Sequence, residues 1–322
     1  SGIGTGPWQQ NWLVNPYKPW LSISSHSPGE AVNWNPPAHP LNYTVLVLND
    51  SHKRQLLAFY TACFLLSYGW LFYNGLLFHQ LQPVFFTNRL DLSLDLLLLT
   101  GIQEFVLQSP GFRWGMDMIC LLLPLLVVLS RKRSFLGPIS LLTLVFHFVY
   151  TLLLSSFSHL SIAGFLGWIL VPMLFIPSSI RGFYFSMHVV RIIFLVMFFT
   201  AGVWKIRTGG LFSTGQMSGV LLTQHAAYLV HAPGNWFSRT INYLVAHEYL
   251  SYSLYLLATV AELVFVIGFF TRKYDRWLIA IFLVFAILDL ILMRIFYFHW
   301  LIFLGCFWFS GYEEPGEEAI AG

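Results

Sequence analysis

The residues of this 322-residue chain that could do chemistry are ionisable side chains set among apolar ones. Lys205 follows the apolar segment 185–203 and has no acidic neighbour in sequence. An ammonium group at the rim of a bilayer or inside it is costly, so such a lysine either has a function or extends to the lipid headgroups. Removal from water favours the neutral amine, which can act as a general base. The small residues Ala201 and Gly202 would let another backbone or a flat ligand come close.

Other ionisable residues also interrupt the apolar segments, namely His147, His159, His188, Arg191, Glu262, Asp289, Arg294 and His299. Unpaired charge is unstable in hydrocarbon, so these groups must pair, become neutral or face a wet cavity. Four are interpreted as structural polar groups within the membrane: Arg191, Glu262, Asp289 and Arg294. Asp289 and Arg294 are expected to pair about one helical turn apart. His159 would begin a segment on the side where Lys205 ends one, so these two could share a pocket.

The composition of the chain is that of a membrane protein. Hydrophobic residues make up 57% of it, charged residues only 10%, and the mean hydropathy is +0.68. A soluble domain carries about 25% charged residues. The formal net charge of +3 forms no basic run, which argues against nucleic acid as a partner. Cys63, Cys120 and Cys306 lie in apolar segments without metal-binding spacing, so we expect them in the core and predict no metal site.

Eight apolar segments are long enough to cross a bilayer, which takes about 20 residues of helix. They span residues 55–79, 114–130, 135–155, 159–176, 185–203, 252–270, 277–292 and 295–309. The predicted fold class is therefore all-α, a polytopic bundle of about eight transmembrane helices. Segment 92–107 contains Asp95 and Glu104 and is interpreted as amphipathic or re-entrant.

The chain divides into three regions, namely a Trp/Pro-rich arm at 1–52, a membrane domain at 53–311 with an outer loop at 206–250, and an acidic tail at 312–322. Two short helices are expected in the loop, at 216–230 and 236–250. Basic residues gather on one side of the predicted topology, and the positive-inside rule then places both termini in the cytoplasm. We expect the protein in a bacterial cytoplasmic membrane.

Two short motifs resemble a known family. The sequence Ala-Gly-Val-Trp-Lys-Ile at 201–206 resembles the signature of the vitamin K-dependent gamma-carboxylase-like membrane domain, the HTTM family. In that family an apolar helix ends in Ala-Gly-Val, and a lysine two residues further on is the proposed catalytic base. The sequence Ser-Ser-Phe-Ser-His-Leu-Ser-Ile-Ala-Gly-Phe-Leu at 155–166 is similar to the family's loop and histidine before the lysine helix.

The resemblance implies a membrane oxidoreductase or epoxidase that acts on an isoprenoid quinol. Lys205 would correspond to the base that deprotonates the quinol, which then reacts with oxygen, and His159 to the histidine that assists it. Four aromatic residues could clasp the flat ring, namely Phe165, Trp168, Phe198 and Trp204. The family's large soluble domain has no counterpart in these 322 residues, so carboxylation of protein glutamate is not expected.

Two other functions fit the same sequence. The chain could be a non-catalytic subunit of a larger membrane complex, with the arm at 1–52 contacting partner subunits. It could also be a transporter, for which Glu262 and Asp289 near mid-membrane are suitable, although no repeat or broken-helix pair accompanies them. An enzyme predicts that Lys205 and His159 face one closed cavity of quinone size, whereas a scaffold predicts Lys205 among the headgroups.

Overall fold

The computed structural model describes residues 50–82, 84, 92–130, 133–157 and 162–309, all within one compact unit that spans 48–322. Every regular element in this part of the chain is helical. The α-helices are α1 (Asp50–Tyr73), α2 (Leu92–Leu98), α3 (Ile102–Gln108), α4 (Pro110–Leu129), α5 (Arg133–Phe157), α6 (Leu166–Met173), α7 (Ile180–Arg207), α8 (Gln216–His231), α9 (Trp236–Ala246), α10 (Glu248–Val264), α11 (Ile267–Phe270), α12 (Asp275–Leu292) and α13 (Phe303–Phe309). The arm at 1–49 and the tail at 310–322 lie outside the described residues.

Five helical stretches are long and apolar enough to cross a membrane: Ser51–Gln80, Pro110–Leu129, Phe135–Phe157, Arg181–Arg207 and Glu248–Phe270. Each coincides with one of the segments expected from hydropathy. The prediction of an all-helical bundle with several membrane-length apolar helices is therefore confirmed. The outward faces of these helices carry exposed large apolar side chains, as a lipid environment requires.

The other three expected segments are less regular. The described part of 159–176 holds a single turn of 3₁₀ helix and the short α6, which contains Pro172. Helix α12 is 18 residues long but carries charges at both ends. Segment 295–309 is irregular up to residue 302, and only α13 is helical. The backbone of Arg294 has a φ of 53°, a left-handed conformation that ends the preceding helix. A count of eight complete crossings stays a prediction.

Two apolar clusters form the interior, and α1 contributes to both. The first joins α1 to α6, α7, α12 and α13, and the second joins it to α4 and α5. Aromatic rings fill much of both clusters, and the three cysteines are buried among them. Lipid tails are as apolar as these side chains, so the helices associate through close packing rather than through exclusion of water.

The loop at 206–250 forms a helical hairpin, as expected, with α8 and α9 on either side of Pro233 and Gly234. A small apolar cluster joins the hairpin to the end of α12, with Leu221, Phe237, Ile241 and Leu244 from the hairpin and Met293 from the residue after α12. The second helix is shorter than predicted, because the chain turns at His247 before α10 begins.

The pair predicted between Asp289 and Arg294 is replaced by two other contacts. Because α12 ends at Leu292 and the chain reverses at Arg294, the guanidinium lies over the rings of Tyr228 and Phe237, 4.3 and 4.2 Å from their centroids. Asp289 Oδ2 instead accepts a hydrogen bond of 3.0 Å from the hydroxyl of Tyr297.

Arg191, one of the predicted intramembrane polar groups, is held by an acid that the sequence analysis did not identify as its partner. Its Nε donates to Asp275 Oδ2 at 2.8 Å, and its Nη2 donates to the other carboxylate oxygen and, at 3.0 Å, to the carbonyl of Gly268. Both side chains are buried. The ion pair therefore ties the first half of α7 to the start of α12.

Replacing Asp275 with Asn should destabilise the protein strongly, because it leaves the buried Arg191 charge without a counter-ion. A loss of about 3–5 kcal/mol in the free energy of unfolding is expected, measured by denaturant titration in micelles. The double variant Arg191→Met/Asp275→Leu removes both charges and should regain most of that loss. A single variant as stable as the wild type would contradict this role for the pair.

Candidate functional site

Lys205 forms an ion pair with Glu262, another of the predicted intramembrane polar groups. Lys205 Nζ donates a hydrogen bond of 2.8 Å to Glu262 Oε1, and the side chains are 25% and 6% exposed. Lys205 stands in the last turn of α7, and Glu262 stands near the end of α10. The lysine therefore turns toward a carboxylate that is buried inside the bundle.

Gly202 explains how the two helices come close enough for this ion pair. A Cβ atom at Gly202 would lie 2.9 Å from Leu263 Cδ2 and 3.2 Å from Glu262 Cβ, which is tighter than ordinary van der Waals contact. The sequence predicted that a backbone or a flat ligand would approach this small residue. The structure places α10 there, one turn before Lys205.

A turn that follows α7 encloses the ion pair further. The chain leaves α7 through Gly209, whose φ of 76° is left-handed, and continues into a short 3₁₀ helix at Gly210–Phe212. Gly210 packs closely on the hydroxyl end of Tyr255, and the ring centroid of Tyr255 lies 5.3 Å from Lys205 Nζ. The amine is thus bordered by α10, an aromatic ring and this turn.

The lysine satisfies only one of the two carboxylate oxygens of Glu262. Glu262 Oε2 is buried and has no hydrogen-bond partner among the described residues. A second acid, Asp289, lies on α12 and accepts a hydrogen bond from the hydroxyl of Tyr297. A carboxylate oxygen without a donor, next to an ammonium group, can accept a proton, so the ion pair is suited to proton transfer.

Aromatic rings pack together on α7 and its neighbours, starting two helical turns before Lys205. Phe198 lies on α7 two turns before Lys205, on the same face of the helix. Its ring centroid is 4.7 Å from that of Phe265 and 5.5 Å from that of Trp300. Trp300 in turn contacts Tyr297 at 5.5 Å. This aromatic layer begins two helical turns before Lys205 on α7 and one turn after Glu262 at the end of α10.

Two other predicted ring-binding residues lie around His299. The ring centroid of His299 is 4.5 Å from that of Phe165 and 5.2 Å from that of Trp168, and its Nδ1 is buried without a partner among the described residues. Gly167 makes this contact possible, because a Cβ there would lie 2.3 Å from the carbonyl oxygen of His299. This packing holds the irregular segment 295–302 against α6.

The remaining predicted site residues are placed differently. Trp204 is 59% exposed, and the guanidinium of Arg207 lies over its ring at 5.4 Å, so it is at the protein surface. His159 lies outside the described residues, which resume at Ile162, three residues before Phe165. The roles assigned to these residues from the sequence stay predictions.

A buried polar cluster that was not predicted from the sequence is centred on Asp117 of α4. One carboxylate oxygen accepts hydrogen bonds from the Tyr150 hydroxyl at 2.5 Å and from the Phe78 N–H at 3.1 Å. The other accepts the N–H of His79 at 2.8 Å and bonds its ring Nδ1 at 2.6 Å. These bonds fix the loop after α1 and orient the His79 ring, which is 20% exposed. The sequence does contain a signal for this cluster, because Asp117 is the one acid within the apolar segment 114–130.

An open cleft of about 710 Å³ lies on the hairpin of α8 and α9, away from the ion pair itself. Its lining includes Ser213, Gln216 and Thr223. Gln216 also borders Gly210, which packs on Tyr255 next to Lys205. The cleft therefore adjoins the turn that encloses the amine.

Comparisons with family models, with curated proteins and with solved structures find no match to this chain. In the part of the chain that the structure describes, no group of three or more His, Cys, Asp or Glu side chains is arranged to hold a metal ion.

Gly202→Leu should separate α7 from α10 and so weaken the Lys205–Glu262 ion pair. Overpacking at this contact is expected to cost about 1–3 kcal/mol in the free energy of unfolding, measured by denaturant titration. The matched control is Gly69→Leu, because a Cβ at that exposed glycine of α1 meets nothing within 4 Å. Equal stability of the two variants would contradict the close approach described here.

Proposed function

We propose that this chain is an HTTM-like integral membrane oxidoreductase that acts on a lipid-soluble quinol, with Lys205 as its general base. The single observation that supports this most is the ion pair between Lys205 and the buried Glu262, with the ring of Tyr255 beside the lysine. An amine held in that setting can exchange its proton with the neighbouring carboxylate. The resemblance of residues 201–206 to the family signature gives the amine its proposed role.

The proposed reaction starts with a proton transfer inside the ion pair. Transfer from the Lys205 ammonium to Glu262 gives a neutral amine and a carboxylic acid without changing the net charge of the site. The amine then takes the proton of a quinol hydroxyl, and the resulting ammonium stabilises the quinolate through charge. Asp289 and Tyr297 provide a second donor–acceptor pair through which protons can leave.

The electrons of the quinol go to dioxygen, which is the oxidant in this proposal. In simple oxidation, the quinol loses two electrons and two protons and becomes the quinone, while dioxygen becomes hydrogen peroxide. In epoxidation, one oxygen atom enters the ring as the epoxide and the other leaves as water. Peroxide or epoxide among the products distinguishes the two reactions.

The residues around the ion pair suit a flat, apolar ring. Phe198, with Phe265 and Trp300 beside it, offers an aromatic wall on the membrane side of Lys205. We propose that His159 donates a hydrogen bond to the quinolate oxygen. The irregular backbone at 295–302, buried within the bundle, is the kind of segment that membrane proteins tolerate where protein or a cavity surrounds it.

We also propose eight crossings in a bacterial cytoplasmic membrane, with α6 and 295–309 as the short ones and both termini in the cytoplasm. What supports this orientation is the gathering of basic residues at one end of the bundle. There Lys53 Nζ donates to the carbonyl of Pro177 at 3.5 Å, and Arg181 and Arg272 line one pocket. The positive-inside rule assigns such an end to the cytoplasm.

The test is quinol-dependent oxygen uptake by the purified protein in lipid. Lys205→Ala should lower the rate by about 10²–10⁴-fold, the usual contribution of a general base. Lys205→Arg keeps a cation opposite Glu262 but cannot give up its proton, so it should be as inactive as the alanine variant. Arg239→Ala removes a basic side chain that is exposed on α9 and should leave the rate unchanged.

Two results would contradict the proposal. The first is oxygen uptake by the wild type that does not exceed the uptake of protein-free lipid with any of several quinols. This result would favour a non-catalytic subunit of a membrane complex. Full activity of Lys205→Arg would show that the residue acts as a fixed charge rather than as a base.

A further inference from the structure

A buried arginine in the first turn of α4 lacks hydrogen-bond acceptors in the part of the chain that the structure describes. Arg113 is 7% exposed, and its Nε and Nη1 are buried without a partner among the described residues. Nε carries one of the five N–H donors of a guanidinium, and Nη1 carries two of them. A guanidinium does not lose its charge in a protein, and burial of its donors without an acceptor is costly. Arg113 is therefore suited to bind an anion.

The nearest acid along α4 does not supply the missing acceptor. Asp117 stands four positions after Arg113, on the same face of the helix. Its two oxygens already accept hydrogen bonds from the Tyr150 hydroxyl, from the N–H groups of Phe78 and His79, and from the His79 ring. A carboxylate has about four lone-pair sites, so these bonds fill them. Asp117 offsets part of the Arg113 charge through space and leaves its N–H donors unbonded.

The start of α4 adds a further donor beside this arginine. Helix α4 is 20 residues long and begins at Pro110, so the positive end of its dipole lies at this turn. The N–H of Gly111 has no acceptor within the helix, and a Cβ at Gly111 would meet nothing within 4 Å. Helical side chains lean toward the N-terminus, so Arg113 extends over this open turn. Positive charge and N–H donors therefore converge where helices commonly bind anions.

Aromatic side chains beside this turn place it at a membrane surface. Trp114 is 51% exposed on a helix that is long and apolar enough to cross a membrane, and tryptophan is enriched at the membrane–water interface. Phe105 of α3 is 54% exposed, and its ring centroid lies 4.9 Å from that of Phe112 on α4. An anion at this turn would have apolar rings beside it. A phospholipid suits both features, because its phosphate is joined to acyl chains, whereas inorganic phosphate would gain nothing from the rings.

We infer that the first turn of α4 binds the phosphate of a phospholipid, with the Arg113 guanidinium as its main contact and the Gly111 N–H as its second. On binding, the long arginine side chain turns toward the open space at Gly111, where its donors meet the phosphate. Such bonds between arginine and phosphate are charge-assisted and frequently bidentate. This site is independent of the quinol reaction proposed for Lys205, whose residues lie on α7, α10 and α12.

The experiment is native mass spectrometry of the purified protein, titrated with phosphatidylglycerol or with diacylglycerol of the same acyl chains, which has no phosphate. Wild type should bind phosphatidylglycerol more tightly than diacylglycerol. Arg113→Gln should lose about 30-fold or more in affinity for phosphatidylglycerol and should bind diacylglycerol as wild type does. The control Arg239→Gln removes the same charge from an exposed position on α9 and should keep the wild-type affinity.

Three outcomes would overturn the inference. Equal binding of the two lipids by wild type would show that the phosphate is not recognised. Equal losses in Arg113→Gln and Arg239→Gln would show an effect of net charge alone. Displacement of phosphatidylglycerol by millimolar inorganic phosphate would make free phosphate the ligand.

A second variant serves if Arg113→Gln does not fold. Arg113→Lys keeps the positive charge but loses the planar fork of donors, so it should bind phosphatidylglycerol more weakly than wild type. A lysine variant that binds this lipid as tightly as wild type would contradict the role of the guanidinium.

Discussion

The arrangement of this bundle depends on the satisfaction of two cations that α7 carries within the apolar part of the protein. Lys205 near one end of the helix bonds Glu262 of α10, and Arg191 nearer the other end bonds Asp275 of α12. Neither cation could remain in hydrocarbon without such a partner. The two ion pairs hold α7 against the following helices at two levels, and glycines at both levels permit the approach. Gly202 faces α10, and Gly268 meets Leu195 of α7.

The same constraint gives the Lys205 end of the bundle its chemical character. Lys205 is paired, partly buried and bordered by the ring of Tyr255, so its ammonium contacts a carboxylate and an aromatic ring where a lysine at a helix end in water contacts solvent. The irregular segment 295–302 adds to this region, since Tyr297 bonds Asp289 and Trp300 contacts Phe198. Helix regularity has been lost where polar and aromatic side chains from several helices converge.

Much of the fold could be predicted from composition and hydropathy, because apolar segments of sufficient length form helices in a membrane whatever their neighbours. The partners of the charged residues could not be predicted in this way, because the members of the two ion pairs lie 57 and 84 residues apart in sequence. Segment 295–309 was predicted as a helix because hydropathy reports apolarity and not backbone path. That path is set by the turn at Arg294 and by the contact with α6. Asp117 was missed because its partners His79 and Tyr150 lie on other elements.

The contact between Gly167 and the carbonyl of His299 limits how such a chain can change over generations. Exposed apolar positions on the lipid-facing surface can drift among Leu, Ile, Val and Phe with little effect on fitness. Position 167 cannot, because the first atom of any side chain would lie 2.3 Å from a backbone oxygen, which no choice of rotamer relieves. A side chain at position 167 can be accommodated only if other substitutions also shift the backbone at 295–302. Position 167 and segment 295–302 are therefore expected to change together during evolution or to stay unchanged together.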